Sequence, residues 1–281
     1  MSEGFLTKRF LSQEVKPGEP LFLSMFLGKQ SFQYSISTNG FKNVVELCDE
    51  HFVGHAFHWN DAINFFVKNH QLQLKHFEKV NIVLLNNDFT MTPEAFVQES
   101  EIRKILHFTT GASNTASLIQ HHVQNARFSF TVESELLSCL EKTFPQACIR
   151  HSGAVSLHQL FNNHSLVNSE VFLNIGEHFI ELAARNKSDV LFYNVFDFEN
   201  NEDVLYYLLF MMEQFNLNPL LVRLRLAGQR AADDDLIKSI KKYVKQVDFG
   251  AHDPALNFSD EIKKLPSHYY FTLFNQHLCE L

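Results

Sequence analysis

The sequence predicts an α/β fold in two similar halves, each a mixed sheet flanked by helices, and three observations lead there. Residues 21–37 and 171–182 echo one another: an apolar run reaches a lone glycine, Gly28 or Gly176, and a second strand-like run begins within three positions, the pattern of a tight hairpin. Each hairpin is followed by a third strand-like run, an amphipathic helix, a buried strand and another helix, in the same order. Finally, 281 residues, 45% of them hydrophobic, suffice to bury a substantial core without disulfides or a structural metal.

Residues 1–20 are polar and end in Lys16-Pro17-Gly18-Glu19-Pro20, which reads as a tail or irregular lead-in. Strands are expected at 21–27, 31–37 and 43–50. Trp59-Asn60-Asp61 opens a helix over 60–69, with Ile63, Phe66 and Val67 on its apolar face. Residues 80–85 form a short apolar run of the buried-strand kind. Thr92-Pro93 has the chemistry of a helix start, a threonine cap followed by proline in the first turn. Residues 107–117, rich in Thr, Gly, Ser and Asn, lack periodicity and read as an exposed loop. A strand at 127–132, a helix at 133–144, a short strand at 147–150 and a helix near 155–161 complete the first half.

Asn162-Asn163-His164-Ser165 marks a seam, so the expected division is a tail at 1–20, a first subdomain at 21–165 and a second at 166–281. Second-half strands are expected at 171–175, 179–185, 189–196 and 220–226. One helix carries Val204, Leu205, Leu208, Leu209 and Met212; the next shows Leu236, Ile237, Ile240, Tyr243, Val244 and Val247 at helical spacing. The aromatic segment 269–274 reads as a last core helix in preference to a docking element.

Composition narrows the function classes. A formal net charge of −8 argues against a broad nucleic-acid footprint, which needs clustered Lys and Arg. Lys238, Lys241, Lys242 and Lys245 follow Asp233, Asp234 and Asp235, the acid-first, base-last order that the helix dipole favours. The four cysteines are scattered and form no CxxC pair. No stretch reaches the length of a membrane span and the N-terminus lacks a signal peptide's apolar core, so a cytoplasmic location is expected.

The segment Leu173-Asn174-Ile175-Gly176-Glu177-His178-Phe179 with the run that follows resembles the first hairpin of the actin-like ATPase superfamily, whose fold is ribonuclease H-like. In length and layout the chain is similar to an uncharacterised bacterial domain-of-unknown-function family, family 3822, with that fold. The resemblance implies ATP and Mg²⁺ held between two Asp-x-Gly hairpins, with backbone amides cradling phosphates and carboxylates holding the metal through water. This chain departs at both carboxylates: Phe26 stands two before Gly28, and Asn174 two before Gly176. After the 220–226 strand, Ala227-Gly228-Gln229-Arg230 offers one glycine where the superfamily clusters several around adenosine.

The expectation is therefore a degenerate, non-catalytic relative that binds an unidentified protein partner, with no cofactor. Under the alternative, an ATP-binding or ATP-hydrolysing protein, Gly28, Asn174, Gly176 and Gly228 would contact nucleotide and acids would come from elsewhere, such as Glu177 or Asp197. A second alternative, a histidine-bound metalloprotein, rests on the i, i+4, i+7 spacing of His51, His55 and His58, which Gly54 interrupts. His121-His122 are adjacent and cannot share a helical face, and Ser152-Gly153 lacks a hydrolase elbow. Glu199, Glu202 and Asp203 sit where negative charge stabilises a helix start.

Overall fold

A computed structural model describes residues 4–11, 15–28, 31–53, 59–95, 98–162 and 168–279. The first half contains strands β1 (Gly4–Leu11), β2 (Leu21–Leu27), β3 (Ser31–Thr38) and β4 (Asn43–Val53), then helix α1 (Trp59–Asn69) and strand β5 (Phe77–Leu84). An insertion follows: β6 (Phe89–Pro93), α2 (Glu99–Thr110), β7 (Ser117–Val123) and β8 (Ala126–Val132). Helix α3 (Ser134–Thr143), strand β9 (Cys148–His151) and helix α4 (Ser152–Asn162) close the half. The second half runs β10 (Ser169–Ile175), β11 (Phe179–Asn186), β12 (Asp189–Asp197), α5 (Asn201–Gln214), β13 (Arg223–Gly228), α6 (Asp235–Tyr243) and β14 (Gln246–Phe249). A two-residue strand β15 (Asn257–Phe258) and the short helix α7 (Phe271–Asn275) end it.

The duplication is visible in strand order. The first sheet contains the path β4-β3-β2-β5-β9 and the second is β12-β11-β10-β13-β14, so both place third, second, first, fourth and fifth strands side by side. In each, the first three strands are antiparallel and the last two join in parallel. Parallel joins need crossovers, and α1 and α5 make the first of them in their respective halves.

Two helices lie in the inner layer. Helix α4 ends the first half yet packs on β10, β11 and β12, whereas α7 packs on β2 and β3. The two helices also touch each other. Phe172 and Phe271, with ring centroids 4.9 Å apart, tie this layer to the second sheet. A second core lies on the outer side of that sheet, where Leu173, Ile175, Leu182 and Leu226 meet Val204, Leu208, Leu236 and Ile240 of α5 and α6.

Four local readings are corrected. Residues 4–11 are not irregular: they form β1, antiparallel to β4, on the edge of β4 opposite β3. Thr92-Pro93 ends strand β6 instead of starting a helix; the helix begins at Glu99. Proline is accommodated at this strand end, on the edge of a three-stranded sheet. Val247 lies in β14, since α6 stops at Tyr243 and Val247 pairs with Leu224. The loop expected at 107–117 is shorter at both ends: residues 107–110 finish α2, and Ser117 opens β7, which pairs with β8. Late in the chain, β15 pairs with β4 and α7 packs on β2 and β3, so both lie against the first sheet. The aromatic segment at 269–274 is core, with Tyr270, Phe271, Leu273 and Phe274 buried.

Candidate functional site at the cleft between the lobes

Each hairpin turn is closed in the same way. The Gly28 N–H donates to the Ser31 carbonyl at 2.9 Å, and the Gly176 N–H donates to the Phe179 carbonyl at 2.8 Å. An aromatic ring lies against each glycine: a Cβ built on Gly28 would stand 3.0 Å from Phe26 Cε1, and one on Gly176 2.2 Å from Phe179 Cε1. Rings of their own strands thus occupy the space beside both glycines. Between them is a cavity of about 40 Å³ lined by Phe26, Gln33, Asn174, Gly176, Phe179, Gly228 and Tyr270. It has room for on the order of a few waters.

Asn174 is turned into the protein. Its Nδ2 donates to Glu181 Oε2 at 2.7 Å and lies 3.4 Å from Thr272 Oγ1. Glu181 also accepts from Tyr193 at 2.8 Å and Ser156 at 3.3 Å. Burial drives the Glu181 carboxyl up, and the surrounding donors only partly oppose that. Gly228 has φ +100°, and a Cβ there would stand 2.0 Å from the Ile175 carbonyl oxygen. Its glycine character is accounted for by close backbone approach between β13 and β10.

Outside this small cavity, the cleft between the lobes opens to about 670 Å³. Lys8, Gln33 and His51 line it from the first sheet, and Glu177, Asp197, Gln229 and Arg230 from the second half. Next to two of these lining residues, His51 and Gln229, is Asp49, fully buried, whose Oδ2 accepts from Gln229 at 3.0 Å and from Tyr270 at 3.1 Å. Burial pushes this carboxyl up, but His51, Gln229 and Tyr270 more than offset it, leaving its pKa below the ordinary value. His51 stands between two carboxylates, with Nε2 3.2 Å from Asp49 and Nδ1 2.7 Å from Glu177. Its contact with Asp49 raises its pKa, burial opposes this, and the charges of Asp49 and Glu177 outweigh that of Lys8. Because Glu177 belongs to the β10–β11 turn, Asp49-His51-Glu177 links the two lobes. Tyr270, which helps to hold Asp49, has φ +53°, a left-handed conformation that a bulky residue adopts at a cost.

Residues 18–247 match the model of a family described as protein of unknown function (DUF3822). The chain belongs to the DUF3822 family. Its fold is that of the actin-like ATPases: a Bacteroides thetaiotaomicron protein with actin-like ATPase fold and unknown function superposes with a TM-score of 0.76 at 18% identity, over 95% of this chain and all of that one. PilM, solved as a PilM–PilN type IV pilus biogenesis complex, superposes with a TM-score of 0.60 at 10% identity, over 91% of this chain and 97% of that one. A search of curated proteins finds no match.

The DUF3822 chain brings three of its four nucleotide candidates, Asn174, Gly176 and Gly228, around the small cavity, with Gly28 at the neighbouring turn. Glu177 and Asp197 both line the larger cleft. The three-histidine arrangement loses its helical basis because His51 lies in strand β4, where side chains alternate; His55 and His58 fall outside the described residues. Among the described residues, no group of three His, Cys, Asp or Glu side chains is arranged to hold a metal. His121 is half-buried and stacked on the Phe130 ring, and its burial with the nearby Arg150 lowers its pKa to about 4. His122 approaches Glu94 at 3.2 Å. Gly153 is packed against Tyr193 and Phe128, where a Cβ would come within 2.5 and 2.7 Å. Asn200 and Asp203 form a reciprocal cap on α5, Oδ1 of Asn200 accepting from the Asp203 N–H at 3.0 Å.

Sequence reasoning missed Asp49 as a site residue and gave His51 the wrong context. The available signal was the run Glu46, Asp49, Glu50 and His51 in an otherwise apolar strand. Charged residues buried in a sheet need dedicated partners.

Proposed function

We propose that this protein is a non-catalytic member of the actin-like fold, a pseudo-ATPase that serves as a protein-binding scaffold in the cytoplasm. The observation that carries the reading is the pair of rings, Phe26 and Phe179, set against the turn glycines where phosphates would enter. Asn174 supports it, since its amide is engaged by Glu181 and its side chain supplies no negative charge for Mg²⁺. Phosphoryl transfer rests on positioning and charge neutralisation, and both are missing from the hairpins. The PilM–PilN complex shows one protein of this fold at work in an assembly with another protein, and by analogy favours a binding role here.

Thermal unfolding tests the loss of nucleotide binding. A nucleotide at 100 times its Kd stabilises a protein by about 2.7 kcal/mol, so the reading predicts an unshifted melting temperature in millimolar ATP with Mg²⁺. A clear upward shift contradicts it.

A second reading has a specific observation in its favour. Glu177 and Asp197 both face the cleft, so an ATP-binding protein with relocated acids has two carboxylates to offer. On that reading Glu177→Gln with Asp197→Asn abolishes an ATP-dependent thermal shift present in the parent protein.

A further inference from the structure

The alternation of strand β4 sends Asp49 and His51 to one face and Cys48 and Glu50 to the other. Register then sets Lys8 and Gln33 opposite Asp49, and Ser31 opposite His51, which assembles one wall of the cleft. Glu177, in the turn between β10 and β11, reaches this wall from the second half. The two carboxylates that flank the His51 ring differ in freedom. Asp49 is completely buried and fixed by Gln229 and Tyr270. The Glu177 side chain is 58% exposed and pairs with His51 alone among the described residues.

A neutral imidazole has one N–H and one lone pair, and only the protonated ring presents N–H on both sides. The contacts of 3.2 Å to Asp49 and 2.7 Å to Glu177 therefore belong to the protonated ring. Neither Asp49 Oδ1 nor His51 Nδ1 makes a hydrogen bond of good geometry, so charge carries both contacts. When the ring loses its proton, the remaining N–H stays with Asp49, because a buried carboxylate gains more from it than an exposed one. The Nδ1 lone pair is then left against the Glu177 carboxylate, which repels it, and Glu177 is free to turn into solvent. Other charges near the ring do not replace the contact. Lys8 on β1 opposes protonation, Arg230 is paired with Asp234 at 3.3 Å, and His178 and Asp197 line the rest of the cleft.

We propose that protonated His51 is a latch that closes the β10–β11 turn onto β4, and that loss of its proton releases Glu177 and opens the mouth of the cleft. The sign follows from the environment of the ring: its pKa lies above the ordinary histidine value, so the latch holds at mildly acidic pH and is lost as pH rises through that raised value. Access to the cleft is thereby tied to pH. The latch acts whether the cleft receives a protein or a nucleotide. Its test contains neither, so the latch and the scaffold reading can fail separately.

The experiment is millisecond hydrogen exchange of the backbone amides at 176–179 in the full chain, corrected for intrinsic rates and paired with an NMR titration of the His51 ring. Glu177→Gln, at a side chain more than half exposed, is expected to keep the fold. At pH ~6 this variant and, independently, His51→Gln should exchange at the turn about threefold faster than the parent, the scale of one partly exposed ion pair. At pH ~8.5 all three should exchange alike. In the titration, the His51 pKa should fall in Glu177→Gln. A parent no better protected than either variant at pH ~6 overturns the proposal. So does an excess protection that persists at pH ~8.5, or a His51 titration indifferent to Glu177→Gln.

Discussion

Asn174 stands two before Gly176, the position at which the resemblance to actin-like hairpins implies an aspartate, and its amide is engaged within the fold. The Nδ2 donates to Glu181 Oε2 at 2.7 Å inside a fully buried cluster. Asn174→Asp would replace that donor with a second carboxyl and set two acids against each other. It is expected to cost roughly 2–3 kcal/mol at neutral pH by urea denaturation, without creating Mg-ATP binding. Because the folded state then holds a proton more tightly than the unfolded chain, the loss should shrink as pH falls. His51 works with the same sign. Its pKa is raised in the folded state, so its stabilising contact is fully present below the ordinary histidine value of ~6.5 and is lost as pH rises through the raised value. His51→Gln should therefore lower stability by on the order of 1 kcal/mol below pH ~6 and by little at alkaline pH, as read from melting temperature against pH. The substitutions at Phe26 and Asn174 were legible in the sequence because a motif position can be read alone. The partners of Asp49 were not, because Gln229 and Tyr270 are 180 and 221 residues away.

The hairpins and crossovers are where the local pattern spoke most clearly. Apolar runs broken by Gly28 and Gly176 are hairpins, and the strand order repeats in the two sheets. The errors fall where tertiary pairing overrides a local signal. Thr92-Pro93 has helix-start chemistry but lies opposite Arg127 and Ala126 of β8, and the polar lead-in is drawn into a strand by the free edge of β4. The glycines separate structural from ligand-binding roles at this scale. Gly228→Ala is expected to destabilise the protein by roughly 3 kcal/mol or more with no nucleotide present, since φ +100° and the Ile175 carbonyl at 2.0 Å leave no room for a Cβ. A Gly228→Ala variant of parental stability would show that the glycine is there for something other than the β10–β13 approach. Unfolding in guanidinium chloride distinguishes the two.

At the scale of the molecule, the exchange of α4 and α7 between halves makes the lobes interdependent, a feature that no local pattern announces because it is decided by which sheet each helix reaches. The second lobe has its own buried brace: Glu170 accepts from Arg185 at 2.8 Å and from Arg225, joining β10 to β11 and β13. Glu170→Gln would leave two buried guanidinium groups without their carboxylate and is expected to cost about 3–5 kcal/mol in a denaturant melt. Among the described residues, no helix is long and apolar enough to cross a membrane. What the scaffold retains is the two-lobed frame and a cleft of about 670 Å³. On the proposed reading what it replaces is the phosphate cradle, since the rings of Phe26 and Phe179 lie beside the two turn glycines.

The central claim is that this cradle no longer takes nucleotide, and calorimetric titration of the tag-free protein with ATP, with and without Mg²⁺, tests it most directly. The account predicts no saturable heat up to millimolar ATP in either condition. Saturable, magnesium-dependent binding with micromolar affinity, about −8 kcal/mol, would contradict it and place the chemistry on Glu177 and Asp197.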